Sequence, residues 1–90
     1  MNKNDLELLR QEIDKIDKNI LENLKKRFVL TKQIGELKKQ LGLDVVDKGR
    51  EEELMKKYHD WAEEFDLGVE LVKSIFLLVI NESKKQQELL

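Results

Sequence analysis

Apolar positions in the first half of the chain recur with the period of an α-helix. A spacing of three or four residues, with one longer gap between Leu24 and Ile34, places them on one helix face. They are Leu6, Leu9, Ile13, Ile16, Ile20, Leu24, Ile34, Leu37 and Leu41. Asp5 can cap the start of this helix, and Gly42 can end it in a left-handed turn. The pattern predicts one helix of roughly 37 residues, about 55 Å long.

Two shorter helices are predicted in the second half. Residues 42–46 lack a helical pattern and predict an extended connector. Asp47 is then expected to cap a second helix, and a turn at 66–68 precedes a third from about Val69. The inward positions would be Leu54, Tyr58, Trp61 and Phe65 in the second helix, and Val72, Phe76, Val79 and Ile80 in the third. We therefore predict an all-α fold with three helices per chain, residues 1–90 forming a single domain.

The first helix is too long for a small monomer. A compact domain of this size has a diameter of about 30 Å, so a helix of about 55 Å would extend beyond it. Its apolar face would then lie in water, and packing against a second copy of the chain is the simplest way to bury it. The length predicts a homodimer with the long helices side by side. A dimer without catalytic function remains an alternative at this point.

Composition narrows the choice of partners. Charged residues make up 40% of the chain and the net charge is −2. Lysines alternate with acids rather than clustering, which argues against nucleic acid or an anionic membrane as partner. There is no cysteine, and we find neither a signal peptide nor an apolar stretch of membrane-spanning length. We expect a cytoplasmic protein without metal or cofactor, since metal-ligand clusters and phosphate-binding loops are also missing.

Polar residues interrupt the apolar faces of two predicted helices. Arg27 occupies a position of the apolar face of the first helix, and Lys38, eleven residues later, projects within about 20° of it. Ser83 and Gln87 continue the apolar line of the third helix. Side chains that reach solvent, or fraying of the last turn, would also explain these positions. The alternative we test is that they bind a ligand.

Arginine is rare among the basic residues. Of 17 lysines and arginines, only Arg10, Arg27 and Arg50 are arginine, whose planar fork binds a carboxylate with two hydrogen bonds. Arg50 opposes the helix dipole in a first turn and should be paired with an acid or a ligand. Gly35 costs about 1 kcal/mol in a helix interior, which suggests close approach of a partner helix or a ligand. We hypothesise that the arginines converge on a small dicarboxylate.

Together these residues resemble the all-helical, monofunctional type II class of chorismate mutases. The likeness extends from about Leu6 to Gln87, with Asp44 where relatives often carry proline. It rests on Leu9-Arg10, Ile13-Asp14, Ile16-Asp17, Arg27, Lys38, Asp47, Arg50-Glu51, Ser83 and Gln87. The resemblance implies an intertwined homodimer that converts chorismate to prephenate, a Claisen rearrangement in phenylalanine and tyrosine biosynthesis.

The resemblance also implies which groups hold the substrate. Arg27 would bind the side-chain carboxylate of chorismate and Arg10 the other carboxylate, with Ser83 assisting. Lys38 and Gln87 would donate to the ether oxygen, where negative charge builds as the C–O bond breaks. Arg27, Lys38 and Gln87 would thus form the catalytic set, acting by conformer selection and electrostatic stabilisation.

A second group of residues would bind the ring hydroxyl. By the same resemblance Glu51 would accept from that hydroxyl, aided by the backbone at Asp47, while Arg50 orders this corner. Arg10 and Arg27 are separated by about 25 Å along the helix axis. Arg10 would therefore have to reach the site from the partner chain.

Two other functions remain open. An isochorismate-pyruvate lyase shares this fold and cleaves the same type of ether in an isomeric substrate. The corner formed by Asp47, Arg50 and Glu51 favours the mutase. A non-catalytic helical dimer is the second alternative, and it predicts no affinity for a dicarboxylate that mimics the transition state.

Overall fold

The computed structural model describes residues 2–90, and in it the chain forms three α-helices. They are α1 (Lys3–Leu41), α2 (Lys48–Glu64) and α3 (Val69–Glu88). No strand occurs among the described residues. The predicted all-α fold with one very long N-terminal helix is confirmed. The chain divides into a first unit that ends at Leu30 and a second unit, Thr31–Leu90, and we describe each by itself.

The first helix begins earlier than the sequence pattern predicted. Asn2 Oδ1 accepts from the backbone N–H of Asp5, and Asp5 Oδ2 accepts from the backbone N–H of Asn2, at 3.1 and 3.0 Å. This reciprocal pair satisfies two donors that a helix start leaves open. The predicted cap at Asp5 is therefore wrong, because Asp5 is the third helical residue and Asn2 caps the helix.

The other end of α1 is a left-handed turn at Gly42, as predicted. Gly42 has φ +70°, and its N–H donates to the carbonyl of Lys39. The next N–H, of Leu43, donates to the carbonyl of Lys38 at 2.8 Å. These two bonds satisfy carbonyls that the helix end would leave unpaired, and they turn the chain sharply into the connector.

The first unit keeps its apolar face exposed in the single chain. Ile13, Ile16 and Ile20 are each more than half exposed, at 56, 57 and 53%. Among the residues of this unit that the structure describes, only Leu24, Arg27 and Phe28 near its end are half-buried, apart from Asp5 at its start. An apolar face of this length in water costs free energy that a covering surface would recover.

The core of the second unit lies between α2 and α3. Tyr58, Ala62, Val72 and Ile80 are buried together. The ring of Tyr58 stacks on that of Phe76, with centroids 4.2 Å apart and planes 10° apart. The inward positions predicted for α3 are confirmed, since Val72, Val79 and Ile80 are buried and Phe76 is half-buried.

Two of the four residues predicted to form the buried face of α2 are exposed. Trp61 is 45% and Phe65 68% exposed in the single chain, so neither belongs to the core between α2 and α3, and their predicted place in that core is wrong. Ala62 is buried instead, at 1% exposure. Because Leu54, Tyr58 and Ala62 are each four residues apart, they share one face, and the small side chain of Ala62 allows α3 to lie close.

Gly35 is the only described residue of α1 that is buried. A Cβ built on it would lie 2.7 Å from Gln87 Cγ and 2.9 Å from Leu90 Cδ1. What approaches this glycine is therefore the end of α3 and the residues after it, in the same chain. We had expected a partner helix or a ligand there, and the structure identifies the neighbour as an intrachain one.

Candidate active site

Lys38 and Gln87 both line one cavity of about 350 Å³. The end of α1, the connector and the end of α3 form its walls, with Gly35 and Val45 also lining it. The two residues are 49 positions apart in the chain. The second unit therefore brings these two predicted site residues together at one cavity.

Lys38 is held by the connector. Its ammonium Nζ donates to the backbone carbonyl of Val45 at 2.9 Å in a partly buried contact. The turn at Gly42 reverses the chain, which brings Val45 back alongside the last turn of α1. An ammonium has three N–H donors, so this bond fixes the side chain and leaves donors for a ligand.

Gln87 is held by α1. Its amide Nε2 donates to the backbone carbonyl of Thr31 at 2.8 Å, also in a partly buried contact. A side-chain amide nitrogen carries two hydrogens. One of them is used by Thr31, and the second can serve an acceptor in the cavity.

Ser83 lies one turn before Gln87 on α3 and is buried, at 6% exposure. Its hydroxyl Oγ donates to the backbone carbonyl of Val79, 3.0 Å away and one turn earlier in the same helix. This bond satisfies the hydroxyl proton inside the unit, and a hydroxyl oxygen can still accept. The part of Ser83 in substrate binding stays a prediction.

Asp47 and Arg50 define the start of α2. Asp47 Oδ1 accepts from the backbone N–H of Arg50 at 3.0 Å, which confirms the predicted N-cap. The guanidinium Nη1 of Arg50 lies 3.1 Å from Glu53 Oε1, one turn further along the helix. A positive charge at the N-terminal end of α2 opposes the helix dipole, and this ion pair within the helix explains how Arg50 is accommodated there. The side chain of Arg50 is about half exposed.

Glu51 forms an ion pair with Lys84. Both side chains are only about 30% exposed, at 32 and 29%. The pair joins α2 to α3 beside Ser83. Sequence reasoning missed Lys84, although it lies four residues after the inward-facing Ile80, and a lysine at that spacing could have been noted.

Arg10 and Arg27 belong to the first unit. Arg10 Nη1 lies 3.8 Å from Glu7 Oε2, and both side chains are 62% exposed. Arg27 is half-buried. The convergence of these arginines with the residues of the second unit stays a prediction.

The described residues hold no group of three or more histidine, cysteine, aspartate or glutamate side chains that could bind a metal ion. Among residues 2–90 no helix is both long and apolar enough to cross a bilayer.

Two side chains with N–H donors, each held by a backbone carbonyl, line the same small cavity, and such donors can stabilise negative charge that develops on an atom between them. Such donors act strongly because they need no reorganisation during the reaction. The second unit therefore has the arrangement expected of a site that binds an anionic or polar small molecule in a helical protein.

The chain belongs to the chorismate mutase type II family, whose family model matches residues 9–88. The family that the sequence resemblance implied is confirmed.

Similar proteins agree with this assignment. The chain is 30% identical over 80 residues to the chorismate mutase of Methanocaldococcus jannaschii, covering 89% of this chain and 81% of that protein. It is 36% identical over 86 residues to the bifunctional chorismate mutase/prephenate dehydratase of Buchnera aphidicola, covering 96% of this chain and 22% of that protein. Several curated relatives are longer, and the chain spans 21 to 24% of their length.

A solved structure is also similar. It is described as a conserved hypothetical protein from Pyrococcus furiosus, is 40% identical, and covers 96% of this chain and 99% of its own. The TM-score is 0.74, so the two chains share a fold.

Proposed function

We propose that this chain is a chorismate mutase that converts chorismate to prephenate by a Claisen rearrangement. The single observation that carries the proposal is that Lys38 and Gln87, each with a side-chain N–H donor, line one cavity. Each is fixed by a backbone carbonyl. Family membership over residues 9–88 supports the same activity.

The ether oxygen of chorismate is the atom that these donors serve. In the rearrangement the ether C–O bond breaks while a C–C bond forms, and no proton is transferred. Negative charge develops on the ether oxygen as the C–O bond lengthens. Lys38 and Gln87 stabilise that charge in the transition state more than in the ground state, which lowers the barrier. The proposed chemistry requires no cofactor.

The remaining polar residues hold the substrate in its reactive shape. Arg27 and Arg10 bind the two carboxylates, and Ser83 assists, so that the enolpyruvyl arm folds over the ring. A fixed near-attack conformer removes part of the entropic barrier. Arg27 completes the catalytic set in this proposal.

The ring hydroxyl is bound at the start of α2. Glu51 accepts from it, the backbone at Asp47 assists, and Arg50 orders the corner. The ion pair between Glu51 and Lys84 supports this role, because it fixes the glutamate carboxylate against α3. The corner is also why we favour chorismate over isochorismate as substrate.

The active form is an intertwined homodimer, with Arg10 supplied by the partner chain. Two features support a dimer. The apolar face of α1 is exposed in the single chain, as at Ile13 and Ile16. The second unit also has an open apolar cavity of about 460 Å³, lined by Trp61, Phe65 and Ile75 among others. A second chain would cover such surfaces.

We further propose that residues 1–90 are one chorismate mutase domain, supported by a single family model that spans both units. A cytoplasmic location would suit an enzyme of phenylalanine and tyrosine biosynthesis.

Purified protein and two substrates test the activity. We expect chorismate absorbance to fall on addition of the chain, with prephenate as product and no pyruvate. Isochorismate is the second arm, and release of pyruvate from it, without conversion of chorismate, would assign the lyase instead. A calorimetric titration with a bicyclic diacid that mimics the transition state separates both enzymes from a non-catalytic dimer, for which no binding is expected.

A further inference from the structure

We propose that Gly35 and the backbone carbonyl of Thr31 are positioning elements for Gln87. They orient its amide so that an N–H, and not the carbonyl oxygen, faces the reacting ether. This inference rests on the proposed function and assigns roles to two residues of α1 that neither the family match nor the sequence analysis assigned.

The first step concerns which end of the amide faces α1. The Thr31 carbonyl is only an acceptor, and it lies 2.8 Å from Gln87 Nε2. If the amide were flipped, two oxygens would face each other at that distance, which is unfavourable. The carbonyl therefore selects the orientation in which the NH₂ end points toward α1, and the second N–H of that end remains for an acceptor in the cavity that Gln87 lines.

The second step concerns how a side chain can reach a carbonyl inside a helix. In an α-helix the Thr31 carbonyl already accepts the N–H of Gly35, four residues later, and its second lone pair can accept one more donor. Side chains tilt toward the helix N-terminus, so the residue at position 35 would cover the turn around Thr31. Glycine leaves that carbonyl uncovered.

The third step concerns space. A Cβ at position 35 would lie 2.7 Å from Gln87 Cγ, 3.2 Å from Gln87 Cβ and 2.9 Å from Leu90 Cδ1. Distances below about 3 Å cannot persist, so Gln87 would have to move away from α1. Glycine at this position carries a cost in helix propensity, since alanine is better by about 1 kcal/mol in a helix interior.

Gly35→Ala tests the inference by kinetics. We expect kcat to fall by up to about 100-fold, the scale of a 1 Å misplacement. KM should change by less than about twofold, because the ether-oxygen contact is made mainly in the transition state. Gly68→Ala is the matched control, since a Cβ there meets nothing closer than Leu71 Cβ at 3.7 Å. It should keep wild-type kcat.

A double-mutant cycle asks whether Gly35 acts through Gln87. In a Gln87→Ala background, Gly35→Ala should change kcat by less than about twofold, since the group to be positioned is gone. A Gly35→Ala effect of equal size in both backgrounds would overturn the inference. If Gly35→Ala does not fold, Leu90→Ala is added to it, which removes the overlap at Leu90 and keeps the one at Gln87.

A readout without turnover separates this inference from the proposed function. In the wild-type chain one Nε2 proton of Gln87 should be protected from exchange and shifted by its bond to Thr31, with the signal assigned from its loss in Gln87→Ala. Gly35→Ala should abolish that protection, and Gly68→Ala should keep it. Protection that survives Gly35→Ala refutes the inference. A protected amide in a chain that does not convert chorismate refutes the proposed function and, with it, the catalytic role of this orientation.

Discussion

At the scale of single residues, the site is built from side-chain donors anchored by backbone acceptors. Lys38 and Gln87 could be predicted because helix geometry places each one on an otherwise apolar face. Their acceptors, the carbonyls of Val45 and Thr31, could not be predicted. Every residue has a carbonyl, so the residue type gives no sign of which one will accept.

Lys38→Ala should lower kcat by roughly 10²–10³-fold, the usual cost of removing one preorganised donor to a developing oxyanion. The fold should survive, because Lys38 lies at the edge of α1 and its ammonium contacts only the connector among the described bonds. Steady-state kinetics and circular dichroism measure the two effects. Lys32→Ala, an exposed lysine of the same helix, is the control and should keep wild-type activity. Equal loss in both variants would remove Lys38 from the reaction.

Gln87→Glu should convert a pH-independent donor into one that works only in acid. A carboxyl donates while protonated, and an ordinary glutamate has a pKa of about 4.3. Activity of the variant should therefore rise as the pH falls toward that value, while the wild-type profile stays fairly flat between mildly acidic and neutral pH. A kcat profile from pH 4 to 8 measures this. Full activity of the variant at alkaline pH would contradict the role at the ether oxygen.

The ion pair of Glu51 with Lys84 shows what sequence patterns leave out. Glu51 was predicted as a hydroxyl acceptor, and its partner lies 33 residues later on another helix. Charged residues are 40% of the chain, so many lysines could have been its partner. Only the packing of α2 on α3 selects one of them.

At the scale of helices, the ends were predicted best where one residue type determines the backbone. Asp47 and Gly42 were both predicted correctly, since an N-cap needs a side-chain acceptor and a left-handed turn favours glycine. The start of α1 was missed by about three residues, because Asn2 and Asp5 are both good caps and only the reciprocal bonds distinguish them. Trp61 and Phe65 were assigned to the inward face from helical spacing, which also allows Ala62, and it is Ala62 that shares the buried face with Tyr58.

Gly42→Ala should destabilise the protein by about 1 kcal/mol, because an L-residue with a side chain is strained at positive φ. A Cβ there would meet nothing within 4 Å, so the whole effect is conformational. Urea denaturation at fixed protein concentration measures it. Gly49→Ala, at a glycine inside α2 whose Cβ would meet nothing closer than Asp47 Oδ1 at 3.5 Å, should cost nothing, since alanine is the better helix former. If both variants lose the same stability, the turn at Gly42 is not the cause.

At the scale of the whole molecule, each active site is proposed to need two chains. Chains with Arg10→Ala and chains with Lys38→Ala should each be inactive alone. Random exchange makes half of the dimers mixed, and each mixed dimer regains one intact site of two. About a quarter of wild-type activity should therefore return on co-refolding, under two-fold symmetry. If heterodimers form and no activity returns, Arg10 acts within its own chain or not at all.

The exposed apolar face of α1 has a further consequence: if a partner chain covers it, activity should depend on protein concentration. If the partner chain both covers that face and supplies Arg10, then association of chains and binding of substrate are thermodynamically linked, and each must strengthen the other. Specific activity should fall when the enzyme is diluted below its dimer dissociation constant. A transition-state mimic should move that midpoint to lower protein concentration, as sedimentation at several dilutions would show. A midpoint that is indifferent to a tightly bound mimic would mean that each site is complete within one chain.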